Sequence, residues 1–186
     1  PNICIFIYKK VEGANLHTEV RFRMSAGRSR RQRHAHKILM VSDFFFPRLG
    51  GVEMHMWSLS QCLLSRGFKV VVVTRSYDDR KGVRWMTNGL KVYYLPSLTV
   101  GNSVALPTLM FNFPMFRQIV LREDISIVHC PQATSALGHA CMLHSGTMGL
   151  PCVYTDHSLF SFNETLPILL NLLMRFSLST VDHCIA

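Results

Sequence analysis

From Lys37 onward, short apolar runs alternate with amphipathic stretches. KILMV (Lys37–Val41) is continuously apolar after its lysine and ends on Ser42 and Asp43, the pattern of a strand buried on both faces. In the stretch that follows, Val52, Met56, Leu59 and Leu63 share one helical face, and Gly67 supplies the stop. Val70–Val73 is a β-branched run that reads as a second strand, and Val92–Leu95 fits a third. A weaker helix begins near Pro107, interrupted at Pro114, and precedes a fourth strand over Ile125–Val128 that ends at His129. The next helix spans about Thr134–Thr147 and stops at Gly149; a fifth strand, Val153–Thr155, ends at Asp156 and His157. Pro167 fits the first turn of an apolar helix to about Thr180, and the closing HCIA has the look of another strand. Strands and helices alternating through short connections predict an α/β fold, a Rossmann-like parallel sheet with helices on both faces.

The first 36 residues lack this order and end in the basic run Arg28–Arg33. They are expected to form a disordered basic arm (1–36) ahead of one folded domain (37–186). With 186 residues, 48% hydrophobic and 17% charged, a mostly disordered chain is excluded. No apolar run reaches 18 residues; Leu166–Leu178 comes nearest and is broken by Asn171 and Arg175. The formal net charge is +9, of which residues 1–37 carry +7 and the remainder only +2. A nearly neutral body argues against a nucleic-acid-binding face. Binding through the arm alone stays open as an alternative, with an affinity that would fall steeply with salt.

Six cysteines are scattered without CxxC spacing and read as reduced, small hydrophobic side chains. The chain opens at Pro1, and the apolar stretch Asn2–Tyr8 precedes rather than follows its lysines, the reverse of a secretion signal. A fragment of a longer protein is expected.

Ligands of open parallel sheets bind beyond the carboxyl ends of the strands. Asp43, Thr74, His129, and Asp156, His157 and Ser158 all fall at such ends. Gly50 and Gly51 stand at a helix entry, where free N–H groups attract a phosphate; a tight turn needing positive φ accounts for them equally well. Glu53 is explained as a carboxylate complementing the helix dipole. His129 and His157 are candidates for acid–base work or hydrogen bonding near neutral pH. Neither GxGxxG nor GxxxxGK[ST] occurs. His139, Cys141 and His144 do not share one helical face, so no metal site is expected.

The segments VSDFFFPRLGGVEMHMWSLSQCLLSRGFKVVVVT, GVRWMTNGLKVYYLP and GLPCVYTDHSLF resemble the PIG-A family of glycosylphosphatidylinositol (GPI) anchor synthesis, from about Lys37 to the end. The resemblance implies the N-terminal, acceptor-holding half of a retaining GT-B glycosyltransferase. The reaction implied is transfer of N-acetylglucosamine from UDP-GlcNAc to phosphatidylinositol, without cofactor or metal. It also implies partner subunits and the cytosolic face of the endoplasmic reticulum membrane. In that reading His129 and His157 are catalytic, and Asp43, Gly50, Gly51, Glu53, His55, Asp156 and Ser158 contact substrate. Where the family has His-x-His, this chain reads His129-Cys130-Pro131, and SFNETLPILLNLLMRF stands where a GFAD-type segment is expected. The second domain, with its paired glutamates and most donor contacts, is not among these residues, so they are expected to be inactive alone. A non-catalytic Rossmann-like binding module is the alternative.

Overall fold

A computed structural model describes residues 36–77, 79–96, 99–100, 104–105, 109–157 and 174–185, with backbone only at 99–100, 104–105 and 109–112. The arm at 1–35 and Ser158 lie outside the described residues, as does the expected helix from Pro167 except for its helical part at 174–178.

Nine strands are described: β1 (Lys37–Val41), β2 (Lys69–Arg75), β3 (Gly82–Trp85), β4 (Lys91–Leu95), β5 (Thr99–Val100), β6 (Val104–Ala105), β7 (Ile127–Cys130), β8 (Cys152–Thr155) and β9 (His183–Ile185). Three helices accompany them, α1 (Gly51–Ser65), α2 (Leu109–Glu123) and α3 (Ala136–Thr147). β5 and β6 form a small separate hairpin, and the other strands make one sheet in the order β3-β4-β2-β1-β7-β8-β9. Every pairing in that sheet is parallel except β3 with β4. The expected Rossmann-like architecture is therefore present, with an antiparallel edge strand added.

Each buried strand is apolar on both sides because each side meets a helix. Ile38 and Met40 of β1 join Val70, Val72, Val92 and Tyr94 under α1. Leu39 and Val41 point the other way and pack with Val71, Val73 and Val128 against α2 and α3. The sequence reads as an unbroken run because both parities are buried.

The helix stops fall where glycine indicated them. Gly67 (φ 84°) and Gly149 (φ 66°) are left-handed, and the residues after them donate N–H bonds back to Leu63 and Ser145. Three expectations are corrected. Pro114 does not interrupt α2: it lies in the second turn, where only one early backbone bond is forgone. The fourth strand starts at Ile127 rather than Ile125, because Asp124 (φ 53°) and Ile125, whose N–H bonds to the Val120 carbonyl at 3.0 Å, close α2. The strand runs on to Cys130, so His129 is its next-to-last residue, opposite Met40 and Val153, rather than its end. The third correction is β3, which the sequence reading omitted. Its turn is Asn88-Gly89, both residues at positive φ, a strong hairpin signal.

Candidate functional site

Chain order reverses between β1 and β7: from β1 the sheet grows through β2 and β4 on one side, and through β7, β8 and β9 on the other. Such a switch point opens a crevice at the carboxyl ends of its two strands. The candidate residues Asp43, Gly50, Gly51, Glu53, His55, His129, Asp156 and His157 are carried by β1, β7, β8 and the loops and helix that follow them.

Two helix N-termini serve β1 and β7 here, and they are treated differently. That of α3 is closed by the protein itself. The Asp43 Oδ2 accepts from the Leu137 N–H (2.9 Å) and the Ser135 hydroxyl (3.0 Å). Ser135 Oγ in turn accepts from the N–H groups of Asp43 (2.9 Å) and Gly138 (2.9 Å). Tyr77 donates its hydroxyl to the Asp43 carbonyl. Burial pushes the Asp43 carboxyl above its ordinary range, against the pull of Leu137, Ser135 and Arg75. Asp43, expected to contact substrate, is thus a buried clamp holding β1 to α3, with its charge engaged inside the molecule.

The N-terminus of α1 is open. Its first helical bond is Met54 N–H to the Gly50 carbonyl (3.1 Å), and no side chain caps the turn before it. The N–H groups of Gly51, Val52 and Glu53 have no acceptor among the described residues, as at a helix start, where the positive end of the dipole lies. Neither glycine supplies left-handed backbone; Gly50 has φ −160°, which any residue adopts. The tight-turn reading of Gly-Gly is thereby corrected. A Cβ on Gly50 would stand 2.4 Å from Glu53 Oε2, the far end of a side chain that would have to swing aside. A Cβ on Gly51 would meet nothing within 4 Å, so this glycine leaves the helix end uncovered. Glu53 is buried in the first turn, where a carboxylate complements the dipole.

Three imidazoles lie near one another at this rim. His55 of α1 and His157 after β8 lie edge to face, ring centroids 4.3 Å apart. The His55 Nε2 is buried with no hydrogen-bond partner among the described residues. Burial and then the neighbouring His157 lower its pKa. His129 Nε2 is hydrogen-bonded to Thr155 Oγ1 at 2.8 Å. Burial foremost, then His55 and His157, lower the His129 pKa to about 4, so the ring is neutral at pH 7. A neutral imidazole offers one donor and one acceptor but no charge. His157 is exposed, and Asp156 beside it continues the strand by donating its N–H to Ile185.

Ser135 and Tyr77, which the sequence reading did not single out, are the supports of this rim; only the serine had a local signal, as the residue before a helix. His139 is a structural histidine, bonded to the Ala133 carbonyl (2.6 Å) and Ser177 Oγ (2.7 Å). Cys130 and Cys141 are buried thiols held protonated, both raised, and neither lies at a charged partner that would activate it. Among the described residues no three His, Cys, Asp or Glu side chains are grouped to hold a metal ion.

The fold is shared with sucrose-phosphate synthase from Thermosynechococcus elongatus (TM-score 0.57, 13% identity, 79% of this chain and 41% of that one). A putative UDP-N-acetylglucosamine 2-epimerase from Listeria monocytogenes is similar (TM-score 0.54, 14% identity, 80% of this chain and 37% of that one). In sequence the chain is 48% identical over 150 residues to a subunit of human phosphatidylinositol N-acetylglucosaminyltransferase, covering 81% of this chain and 31% of that protein. It is 51% identical over 146 residues to the gpi3 subunit of the same transferase from Schizosaccharomyces pombe, covering 78% and 32%. The chain spans about a third of the length of these curated relatives. Residues 75–164 match the PIGA (GPI anchor biosynthesis) family model. The chain thus carries a PIGA-family domain of GPI-anchor biosynthesis at residues 75–164, within a stretch about half identical to these relatives.

Proposed function

We propose that this chain is the acceptor-side Rossmann-like part of a retaining glycosyltransferase that moves N-acetylglucosamine from UDP-GlcNAc to phosphatidylinositol. The observation that carries the reading is the 48–51% identity to proteins named for that activity. The rim geometry supports it. The first three N–H groups of α1, without an acceptor among the described residues, suit a phosphate, whereas the α3 terminus is closed by Asp43. His157, exposed at the rim, is placed to meet an acceptor hydroxyl. His129, neutral and tied to Thr155, serves as a hydrogen-bonding wall rather than a proton donor at neutral pH. Asp156 lies on the acceptor side, and Glu53 and His55 hold the α1 side; a substrate contact by Ser158 is part of the proposal.

Catalysis between two domains depends on positioning donor against acceptor, so residues 1–186 by themselves are inactive in this reading. No cofactor or metal is invoked. The working enzyme is a complex of several different chains at the cytosolic face of the endoplasmic reticulum membrane.

The test replaces the matching segment of the Schizosaccharomyces pombe gpi3 subunit with residues 37–186 and follows labelled GlcNAc from UDP-GlcNAc into lipid in microsomes. A functional chimera that loses product on His157→Ala is expected. A stably expressed chimera that makes no GlcNAc-phosphatidylinositol would overturn the reading.

A further inference from the structure

The sheet edge formed by β3 is poorly covered. Trp85 is 66% exposed and Val83 44%, both on the side of the sheet where α2 packs, and Leu121 on the outer face of α2 is 57% exposed. A groove of about 600 Å³ lies between the two elements, walled by Val83, Tyr93, Met115 and Ile119. A second depression of about 640 Å³ runs over the outer face of α2 past Phe113 and Leu121, sharing Gln118 and Arg122 with the first.

The charge here has one sign. Lys81, Arg117 and Arg122 line these depressions, and no acid does among the described residues. α2 has a single acid, Glu123, and it is already engaged by Lys91 (2.6 Å), Lys69 (3.5 Å) and the Tyr93 hydroxyl (2.5 Å). Lys91 also sits 5.2 Å above the Trp85 ring. The strip is therefore apolar and cationic together, with a tryptophan at its margin.

We propose that the β3–α2 face docks on an anionic lipid bilayer surface. Trp85, Val83 and Leu121 would enter the headgroup layer, while Arg117, Arg122 and Lys81 lie along it and meet lipid phosphates. A shallow strip spread over two elements suits a layer of headgroups better than one protruding protein side chain. The proposal deepens the lipid-acceptor reading and rests on it for the expectation that a membrane is at hand.

The experiment is sedimentation of the 186-residue chain with phosphatidylcholine vesicles, with or without phosphatidylserine, which is anionic but is not the proposed acceptor. Binding that needs phosphatidylserine is expected. Each basic side chain at a membrane surface contributes about fivefold, so Arg117→Gln with Arg122→Gln weakens it about 25-fold. Trp85→Gln with Leu121→Gln weakens it too. All four residues are exposed or line open depressions, and far-UV circular dichroism confirms the fold. In a Trp57→Phe background the Trp85 emission shifts to the blue on binding, and a chain lacking residues 1–35 still binds.

Binding that follows the basic arm and ignores both double variants would overturn the proposal. So would a Trp85 already shielded from acrylamide without vesicles, since the chain itself would then cover the face. Equally tight capture of soluble polyglutamate without an emission shift would assign the face to an acidic protein, also against it. Because no donor or acceptor is used, failure here leaves the transferase reading intact, and failure of GlcNAc transfer leaves this result standing.

Discussion

Replacing Asp43 separates a clamp from a ligand contact. The Asp43→Ala change removes the acceptor of the buried Leu137 N–H and of the Ser135 hydroxyl. The buried Leu137 N–H left without a partner costs about 2 kcal/mol, and the lost Ser135 hydroxyl bond about 1 kcal/mol. Asp43→Ala should therefore destabilise the domain by about 3 kcal/mol, a large share of a total that is normally about 5–15 kcal/mol. Urea unfolding monitored by circular dichroism measures it, with an unchanged slope indicating that only stability moved. Asp43→Asn adds a sign test. Burial raises the folded pKa of Asp43, so the stability tied to its proton is present below the unfolded value of about 3.9 and lost as pH rises through the folded value. The asparagine variant lacks that slope and loses less relative to the native protein as pH increases. An Asp43→Ala penalty below about 0.5 kcal/mol, the range of ordinary surface changes, would refute the clamp and return the carboxylate to a ligand.

Other substitutions follow from the same geometry. Gly51→Leu has open space for its side chain and an unstrained backbone, so it should leave stability unchanged while lowering GlcNAc transfer by the chimera at least tenfold, roughly the loss of one charge-assisted hydrogen bond. His129, whose pKa falls from the ordinary value to about 4, contributes stability that is full above about pH 6.5 and is lost as pH drops toward 4; the loss is on the order of 3 kcal/mol, and His129→Gln should flatten that part of the acid-unfolding profile. Glu123→Ala strips the partner from the largely buried Lys91 and should cost about 3 kcal/mol by urea unfolding, whereas removing the half-exposed Lys69 should cost under about 1 kcal/mol.

What the sequence disclosed and what it hid have physical causes. β1 and β2 were legible because burial on two faces leaves continuous apolar runs, and the stops of α1 and α3 because left-handed backbone selects Gly67 and Gly149. β3 was missed because GVRW is exposed throughout and carries no burial pattern, although Asn88-Gly89 named its turn. The fourth strand was started two residues too early because Ile125, apolar and β-branched, closes α2 instead of opening β7. Asp43, His129, Asp156 and His157 were gathered at one rim by the strand-end rule and Gly50 and Gly51 by the helix entry, while His55 came only from the family resemblance. Their roles were not legible, since the Asp43–Ser135 clamp joins positions 92 residues apart. The glycine pair was visible, but the Glu53 carboxylate lying against Gly50 is a contact that spacing does not reveal.

The account turns on the rim at the β1–β7 switch point being where substrate sits. The most direct measurement is a two-dimensional NMR titration of the isotope-labelled chain with glycerophosphoinositol and, separately, with UDP-GlcNAc. Saturable shifts of the Gly51, Val52 and Glu53 amides and of the His55 and His157 ring signals, with Leu137 and Gly138 at the closed α3 terminus unmoved, are the predicted result. Shifts confined to other surfaces with both compounds, or none at these positions, would contradict it.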